Sequence, residues 1–168
     1  MRVSDTPELQ TDRLLMVPLQ VADAVEMVDV LTARDLYRFT GGGPPSLRDL
    51  ESRYRCQVAG PASSDEVWHN WILRLRESDR AVGFVQTTVT GHTADVAWLV
   101  DTNWQGRGFA AEAAIEMCRW LSEVGIRSLT AHIHPEHVVS ERVAAAAGLR
   151  KTAEVDADGE IVWASSEN

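Results

Sequence analysis

Asn103-Trp104-Gln105-Gly106-Arg107-Gly108-Phe109-Ala110 is the stretch whose reading decides the fold. Before it, Ala94-Asp95-Val96-Ala97-Trp98-Leu99-Val100 places Val96, Trp98 and Val100 on one face, the period of a half-buried strand. After it, Ala111, Ala114, Ile115, Cys118 and Leu121 recur at three and four residues, one apolar helical stripe that Gly125 can end. A strand-to-helix turn leaves backbone N–H groups free at the helix N-terminus, and such a site wants an anion. Gly106 and Gly108 remove Cβ atoms where a phosphate must approach the backbone, and Arg107 can add a charge-assisted contact. The string is not a dinucleotide fingerprint, because GxGxxG is incomplete at Ala111. It lacks the Gly-Lys-Ser/Thr of a phosphate loop as well.

Working outward, Trp68 to Leu75 and Ala81 to Thr90 read as strands, with Glu77-Ser78-Asp79-Arg80 turning between them and Thr90-Gly91-His92-Thr93 forming a hairpin loop. Thr11 to Leu19 reads as a first strand ended near Pro18, followed by a helix that Asp23 can cap. Gly41-Gly42-Gly43-Pro44-Pro45 breaks the chain, either as a connector or as a lid, and Ser46 caps a helix from Leu47 towards Val58. Downstream, Ser128 to Ile133 is a strand and Ser140 to Ala147 a helix stopped by Gly148. Short strands follow near Thr152 to Val155 and Ile161 to Trp163. A meander that gives way to alternating strands and helices implies an α/β (mixed α+β) fold. We expect a mostly antiparallel mixed sheet of about seven strands with helices on both faces. No internal repeat or linker divides it, so residues 1–168 are expected to form one domain.

Composition narrows the partners. The formal charge is −9, and 16 of the 25 acidic residues lie after residue 60 against 9 basic ones. That field disfavours nucleic acid and anionic membranes and favours a basic or amine-bearing partner. Oriented amides and Arg107 can still bind phosphate locally. Cys56 and Cys118 lack disulfide or zinc spacing, which suits a reducing compartment and buried apolar roles. Met1 to Pro7 has no apolar signal core and no run approaches a membrane span, so a cytoplasmic location is expected.

The Gln105-Gly106-Arg107-Gly108-Phe109-Ala110 string resembles the central Gln/Arg-x-x-Gly-x-Gly/Ala motif of the GNAT superfamily of N-acetyltransferases, with Gln105, Gly108 and Ala110 at the key positions. Thr11-Asp12-Arg13-Leu14-Leu15 and Ala81-Val82-Gly83-Phe84-Val85 look like the first and central strands of its ribosomal-protein N-terminal acetyltransferase branch. His134-Pro135-Glu136-His137-Val138-Val139-Ser140-Glu141-Arg142-Val143, then Gly148-Leu149, is similar to the family's His-Pro-x-Asn-x-x-Ser-x-Arg-Val and Gly-Phe.

The resemblance implies direct acyl transfer from acetyl-CoA, or another acyl-CoA, to an amine in a ternary complex, without a metal. The acceptor would be a small-molecule amine or a protein N-terminal amine. Trp98, Leu99 and Val100 correspond to the splayed strand that holds pantetheine and the thioester oxygen, and Gln105 to Ala111 (Gln105, Gly106, Arg107, Gly108, Phe109, Ala110, Ala111) would take the phosphates. Asp95 matches an acidic position that can serve as base, or is a solvated hairpin residue. The family's acidic Tyr is replaced by Ala144, so Ser140 is the candidate for the CoA sulfur, with a helix N-cap as its other reading. His137 stands where the family has Asn, among the pantetheine contacts. Tyr37 and Tyr54 line the acceptor pocket or serve the core and surface.

Two other readings compete. His132-x-His134-x-Glu136-His137 superficially resembles a metallo-hydrolase signature, although no histidine follows His137. The missing Tyr also allows a non-catalytic CoA-binding module. Exposed strand edges in the C-terminal hairpin allow a homodimer.

Overall fold

The computed structural model describes residues 5–165; Met1 to Ser4, part of the segment read as lacking a signal core, lie outside them. Among the described residues eight strands form one sheet: β1 (Leu9–Gln10), β2 (Leu14–Pro18), β3 (Glu66–Leu75), β4 (Ala81–Thr90), β5 (Thr93–Val100), β6 (Ser128–Ile133), β7 (Leu149–Val155) and β8 (Ile161–Ser165). The order is β1-β2-β3-β4-β5-β6-β8-β7. Every neighbouring pair is antiparallel except β5 and β6. The eighth strand, beyond the seven expected, is the two-residue β1.

Helices α1 (Ala24–Val30) and α2 (Leu47–Ala59) cover one face; α3 (Phe109–Glu123) and α4 (Val138–Ala146) cover the other. Covered on both sides, the central strands bury residues of both parities. On β3, Trp71 and Leu73 join the core under α3, while Ile72 between them joins Met27, Leu50 and Tyr54 under α1 and α2.

Local chemistry explains the boundaries and three corrections. Ser46 caps α2, its side chain accepting from the Asp49 N–H. Asp23 is not a side-chain cap of α1. Its carboxylate closes a 3-10 turn over Val21–Asp23 by accepting from the Gln20 N–H at 2.8 Å and binds Arg74 at 3.0 Å. The buried stripe of α3 is rotated from the expected one: Phe109, Ala113, Met117, Trp120 and Leu121 are buried with Ala114 and Cys118, whereas Ile115 is exposed. The larger side chains, rather than the alanines, choose the face. The N-cap of α4 is His137, three residues before Ser140, and the helix therefore starts at Val138.

The pairing of β5 positions the site. It is bonded to β4 along its whole length, from Thr93 to Val100, but to β6 only at Thr93–Ser128, Ala94–Leu129 and Asp95–Thr130. Beyond Asp95 the two parallel strands part. At the far end of β5 the backbone of β4 approaches so closely that a Cβ on Gly83 would stand 2.1 Å from the Leu99 carbonyl oxygen. Only glycine allows that approach.

Candidate functional site

The turn after β5 is built from its own polar groups. Buried Asp101 accepts from the Asn103 N–H at 3.0 Å and the Asn103 side-chain amide at 3.1 Å, holding a 3-10 turn over Thr102–Trp104. Gln105 sends its amide back to the Val100 carbonyl at 2.8 Å, so this side chain ties the turn to β5. Gly106 and Gly108 both take left-handed backbone, φ +75° and +84°, and Gly108 is the N-cap of α3. The N–H groups of Phe109, Ala110 and Ala111 precede the first intrahelical bond, from Glu112 to the Gly108 carbonyl, and stay available.

Arg107 folds over the Trp104 ring, 4.7 Å from its centroid. Phe109 is buried, so it anchors α3 and presents no side chain to the turn's outer surface. Behind the turn stands a support that spacing alone did not reveal. Arg13 donates to the Arg107 carbonyl at 2.9 Å, lies 4.4 Å over Phe109 and pairs with Glu112 at 2.6 Å. Glu112 also accepts from the Thr11 hydroxyl at 2.5 Å and the Arg13 N–H at 3.0 Å. Burial pushes the Glu112 carboxyl up, but these bonds and the Arg13 charge outweigh it and hold it below its ordinary value.

Where β5 and β6 part, a cavity of about 400 Å³ opens. It gathers Trp98, Leu99, Val100, Gln105, Ala110, His137 and Ser140 from the expected set. Gly106, Arg107 and Gly108 are exposed beyond its rim, and Asp95 does not line it. The Asp101 N–H donates to Val82 at 2.8 Å, so by antiparallel alternation Leu99 turns its main chain to β4. Trp98 and Val100 turn theirs to the gap. The Val100 carbonyl is taken by Gln105, leaving the Trp98 and Val100 N–H groups facing open space.

The Trp98 indole donates to the Ser140 hydroxyl at 2.9 Å. That bond occupies an acceptor site on Ser140 and leaves its O–H free to donate elsewhere. His137 caps α4 by accepting from the Ser140 N–H at 3.4 Å and stacks on Phe39 at 4.6 Å. Burial and then neighbouring His134 hold its pKa below the ordinary value, which keeps the ring a neutral acceptor. Ala144 is fully buried and offers no titratable group at that position of α4. Phe39 was not legible as a lining residue, because it lies in an irregular segment with no periodic signal.

Asp95 occupies the last position of β5 paired with β6, hydrogen-bonded to the Thr130 hydroxyl and 3.6 Å from His132 Nε2. His132 Nδ1 lies 2.7 Å from Asp156. Burial lowers the His132 pKa, yet the Asp156 bond and the Asp95 and Asp156 charges raise it overall. The metallo-hydrolase string does not converge. Among the described residues His132 gathers with Asp156 and Glu160, while His134 accepts from the Glu136 N–H and His137 serves α4.

Comparison with known proteins gives this arrangement its context. Residues 13–150 match the family model described as the acetyltransferase (GNAT) domain. The Bacillus subtilis protein named Uncharacterized N-acetyltransferase YnaD is 29% identical over 80 residues, which are 46% of this chain and 47% of that protein. The match therefore spans about half of that relative's length. A GNAT-family acetyltransferase from Bacillus anthracis superposes with a TM-score of 0.78 at 18% identity, covering 94% of this chain and 97% of that one. The aminoglycoside acetyltransferase AAC(6')-Ib, solved with paromomycin and acetyl-CoA, gives 0.76 at 15% identity over 92% and 94%.

Proposed function

The chain belongs to the GNAT acetyltransferase family, and from that premise we propose that it transfers an acetyl group from acetyl-CoA to a primary amine by direct attack in a ternary complex. The observation that carries the reading is the parting of β5 from β6 after Asp95 beside the N-terminus of α3, because one ligand can then reach both. Main-chain N–H groups of Phe109 to Ala111, with Arg107, suit the pyrophosphate. Trp98 and Val100 N–H groups suit the pantetheine arm and the thioester oxygen. Preset amides of this kind stabilise the charge that develops on that oxygen.

In the proposed step the amine nitrogen bonds to the thioester carbon and the C–S bond breaks. Ser140, oriented by Trp98, donates a hydrogen bond to the leaving thiolate, and the proton the amine gives up balances that charge, returning to the sulfur through water. A strand rise of about 3.3 Å per residue separates Asp95 from Trp98 by roughly 10 Å, so Asp95 and His132 receive the amine proton through water. The motifs Thr11-Asp12-Arg13-Leu14-Leu15 and Ala81-Val82-Gly83-Phe84-Val85 support the ribosomal-protein N-terminal acetyltransferase branch. The continuous sheet supports one domain, and the absence of a helix able to cross a membrane among the described residues accords with a cytoplasmic site of action. The exposed edge strand β7 is the surface on which two copies would pair.

Free-thiol release from acetyl-CoA and succinyl-CoA over a panel of amines and peptides, with acetyl-CoA affinity measured by calorimetry, tests this. The expected result is micromolar acetyl-CoA binding with thiol release for at least one amine. Two observations favour a second reading, a non-catalytic CoA-binding module: Ala144 offers no acid and Asp95 stands outside the cavity. Tight acetyl-CoA binding with no thiol release for any acceptor would select it.

A further inference from the structure

A second cavity lies beneath α2, on the face of the sheet that α1 and α2 cover. Its volume is about 270 Å³, and its apolar walls include Leu31, Ile72 and Phe84. Phe84 on β4 is the register partner of Leu99 on β5, and Leu99 lines the cavity at the parted strands. The two linings therefore adjoin at these residues, on strands about 4.8 Å apart. The segment after α1 borders both: Leu31 lines the second cavity, its carbonyl accepts from Tyr37 at 2.8 Å, and Leu36 and Phe39 line the first.

The polar lining of the second cavity is unusual. Gln57 Oε1 is buried without a hydrogen-bond partner among the described residues. A buried acceptor left in that state costs about 1–3 kcal/mol, and a ligand that donates to it recovers the cost. Asn70 and Gln86 are register partners on β3 and β4, and both line the cavity. Neither side-chain amide is bonded among the described residues, so each can donate and accept. Arg53 adds a guanidinium that makes no ion pair there. Among the described residues no Asp or Glu lines the space. Asp23, whose charge reaches Tyr54, is already held by Arg74.

We propose that this cavity is the acceptor subsite, and that it takes a free amino-acid-like amine bearing a carboxylate or carboxamide. The proposal rests on the acyl-transfer reading above. It runs against the net charge of −9, because local lining and global field differ in sign. A polycation would find no counter-charge here, whereas a carboxylate would meet Arg53 and an amide would meet Gln57, Asn70 and Gln86. Size points the same way. The volume falls just below the roughly 300–1,000 Å³ of pockets for drug-sized ligands, which suits one amino acid and not an aminoglycoside.

The test uses the full chain and a panel of L-amino acids, their primary amides, spermidine, kanamycin and a pentapeptide, with thiol release from acetyl-CoA as readout. An amino acid or its amide is expected to give the highest kcat/KM. Arg53→Ala should raise KM for the amino acid about tenfold while leaving its amide and the acetyl-CoA Kd unchanged. Gln86→Leu, with Gln57→Leu as the second variant should it fold poorly, should raise KM for both. Spermidine, kanamycin or the pentapeptide as preferred acceptor overturns the proposal, as does an unchanged KM in Arg53→Ala and Gln86→Leu. Failure of wild type to bind acetyl-CoA overturns the transfer reading instead. In that event calorimetry of the amino-acid amides alone, against wild type and Gln86→Leu, decides the cavity's ligand.

Discussion

The two cavities flank the same pair of strands and are made from different materials. At the parted strands main-chain groups stand among the polar ones, namely the Trp98 and Val100 N–H groups and the first turn of α3, placed by Gly106 and Gly108, beside side chains such as Arg38, His137 and Ser140. Beneath α2 they are side chains, Gln57, Asn70, Gln86 and Arg53, on ordinary helix and strand backbone. A backbone site needs special residues at special positions and will tolerate few others. A side-chain site needs only that each residue face inward, so its occupant can change while the fold stays. The first is therefore suited to a ligand shared by a family, the second to one that distinguishes members.

The wall between them is where the largest effect is expected. Gly83→Ala would put a Cβ 2.1 Å from the Leu99 oxygen, and backbone cannot yield as a flexible side chain can. A loss of about 3 kcal/mol of stability or more is expected, read by urea unfolding, with both ligands weakened in whatever folds. A change below about 1 kcal/mol would mean that β4 and β5 can separate, and that the cavities do not share a rigid wall. The next largest effect should divide them. Gly106→Asp places a carboxylate beside the anion-seeking turn in open space, at a φ that Asp tolerates better than most residues. Acetyl-CoA affinity should fall about a hundredfold, near 2.7 kcal/mol, while amino-acid amide binding is unchanged. Gly108→Asp is a poorer probe, because its Cβ would stand 3.3 Å from Arg13 Nη2, which would neutralise the new charge.

The same difference in materials decides what could be read from the sequence. The glycine turn, the strand before it, the helix after it and the hairpin at Gly91-His92 follow from residues with strong backbone preferences, and each stands where expected. The cavity at the parted strands was legible in its β5 and turn residues for that reason. Its Phe39 wall was not. The Arg13–Glu112 support joins residues 99 positions apart, and spacing carries no signal of that length. Asn70 and Gln86 look like ordinary alternating strand residues, and only the register of β3 on β4 brings their amides together. The stripe on α3 differs from the expected one because alanine spacing fits two faces of a helix, and the packing of Trp120 and Met117 chooses between them.

A moderate effect should fall on chemistry alone. Ser140 is partly exposed and its hydroxyl is fixed by the Trp98 indole at 2.9 Å. Ser140→Ala should lower kcat about tenfold to a hundredfold, leaving the acetyl-CoA Kd and the acceptor KM within about twofold. Trp98→Phe removes the orienting bond and keeps the hydroxyl, so its kcat should lie between wild type and Ser140→Ala. A Trp98→Phe variant slower than Ser140→Ala would show that the indole supports the strand more than it orients the serine.

The smallest effect sharpens the contrast through pH. Glu112 supports the glycine turn from behind and touches nothing beneath α2. Burial raises its carboxyl pKa, but the Thr11 and Arg13 bonds lower it further, below the ordinary 4.5. A carboxylate whose folded pKa is depressed stabilises the fold fully above its unfolded value, and that contribution is lost as pH falls through the folded value. Glu112→Gln should therefore cost about 1 kcal/mol at pH 7. The gap from wild type should close as pH drops below about 4.5, because wild type loses what the variant never had. Unfolding midpoints of both proteins from pH 7 to pH 3 measure it. A gap that stays constant over that range would mean that Glu112 acts through packing and not through its charge. At pH 7 acetyl-CoA affinity should weaken slightly while amide binding stays level, since only one of the two cavities leans on this carboxylate.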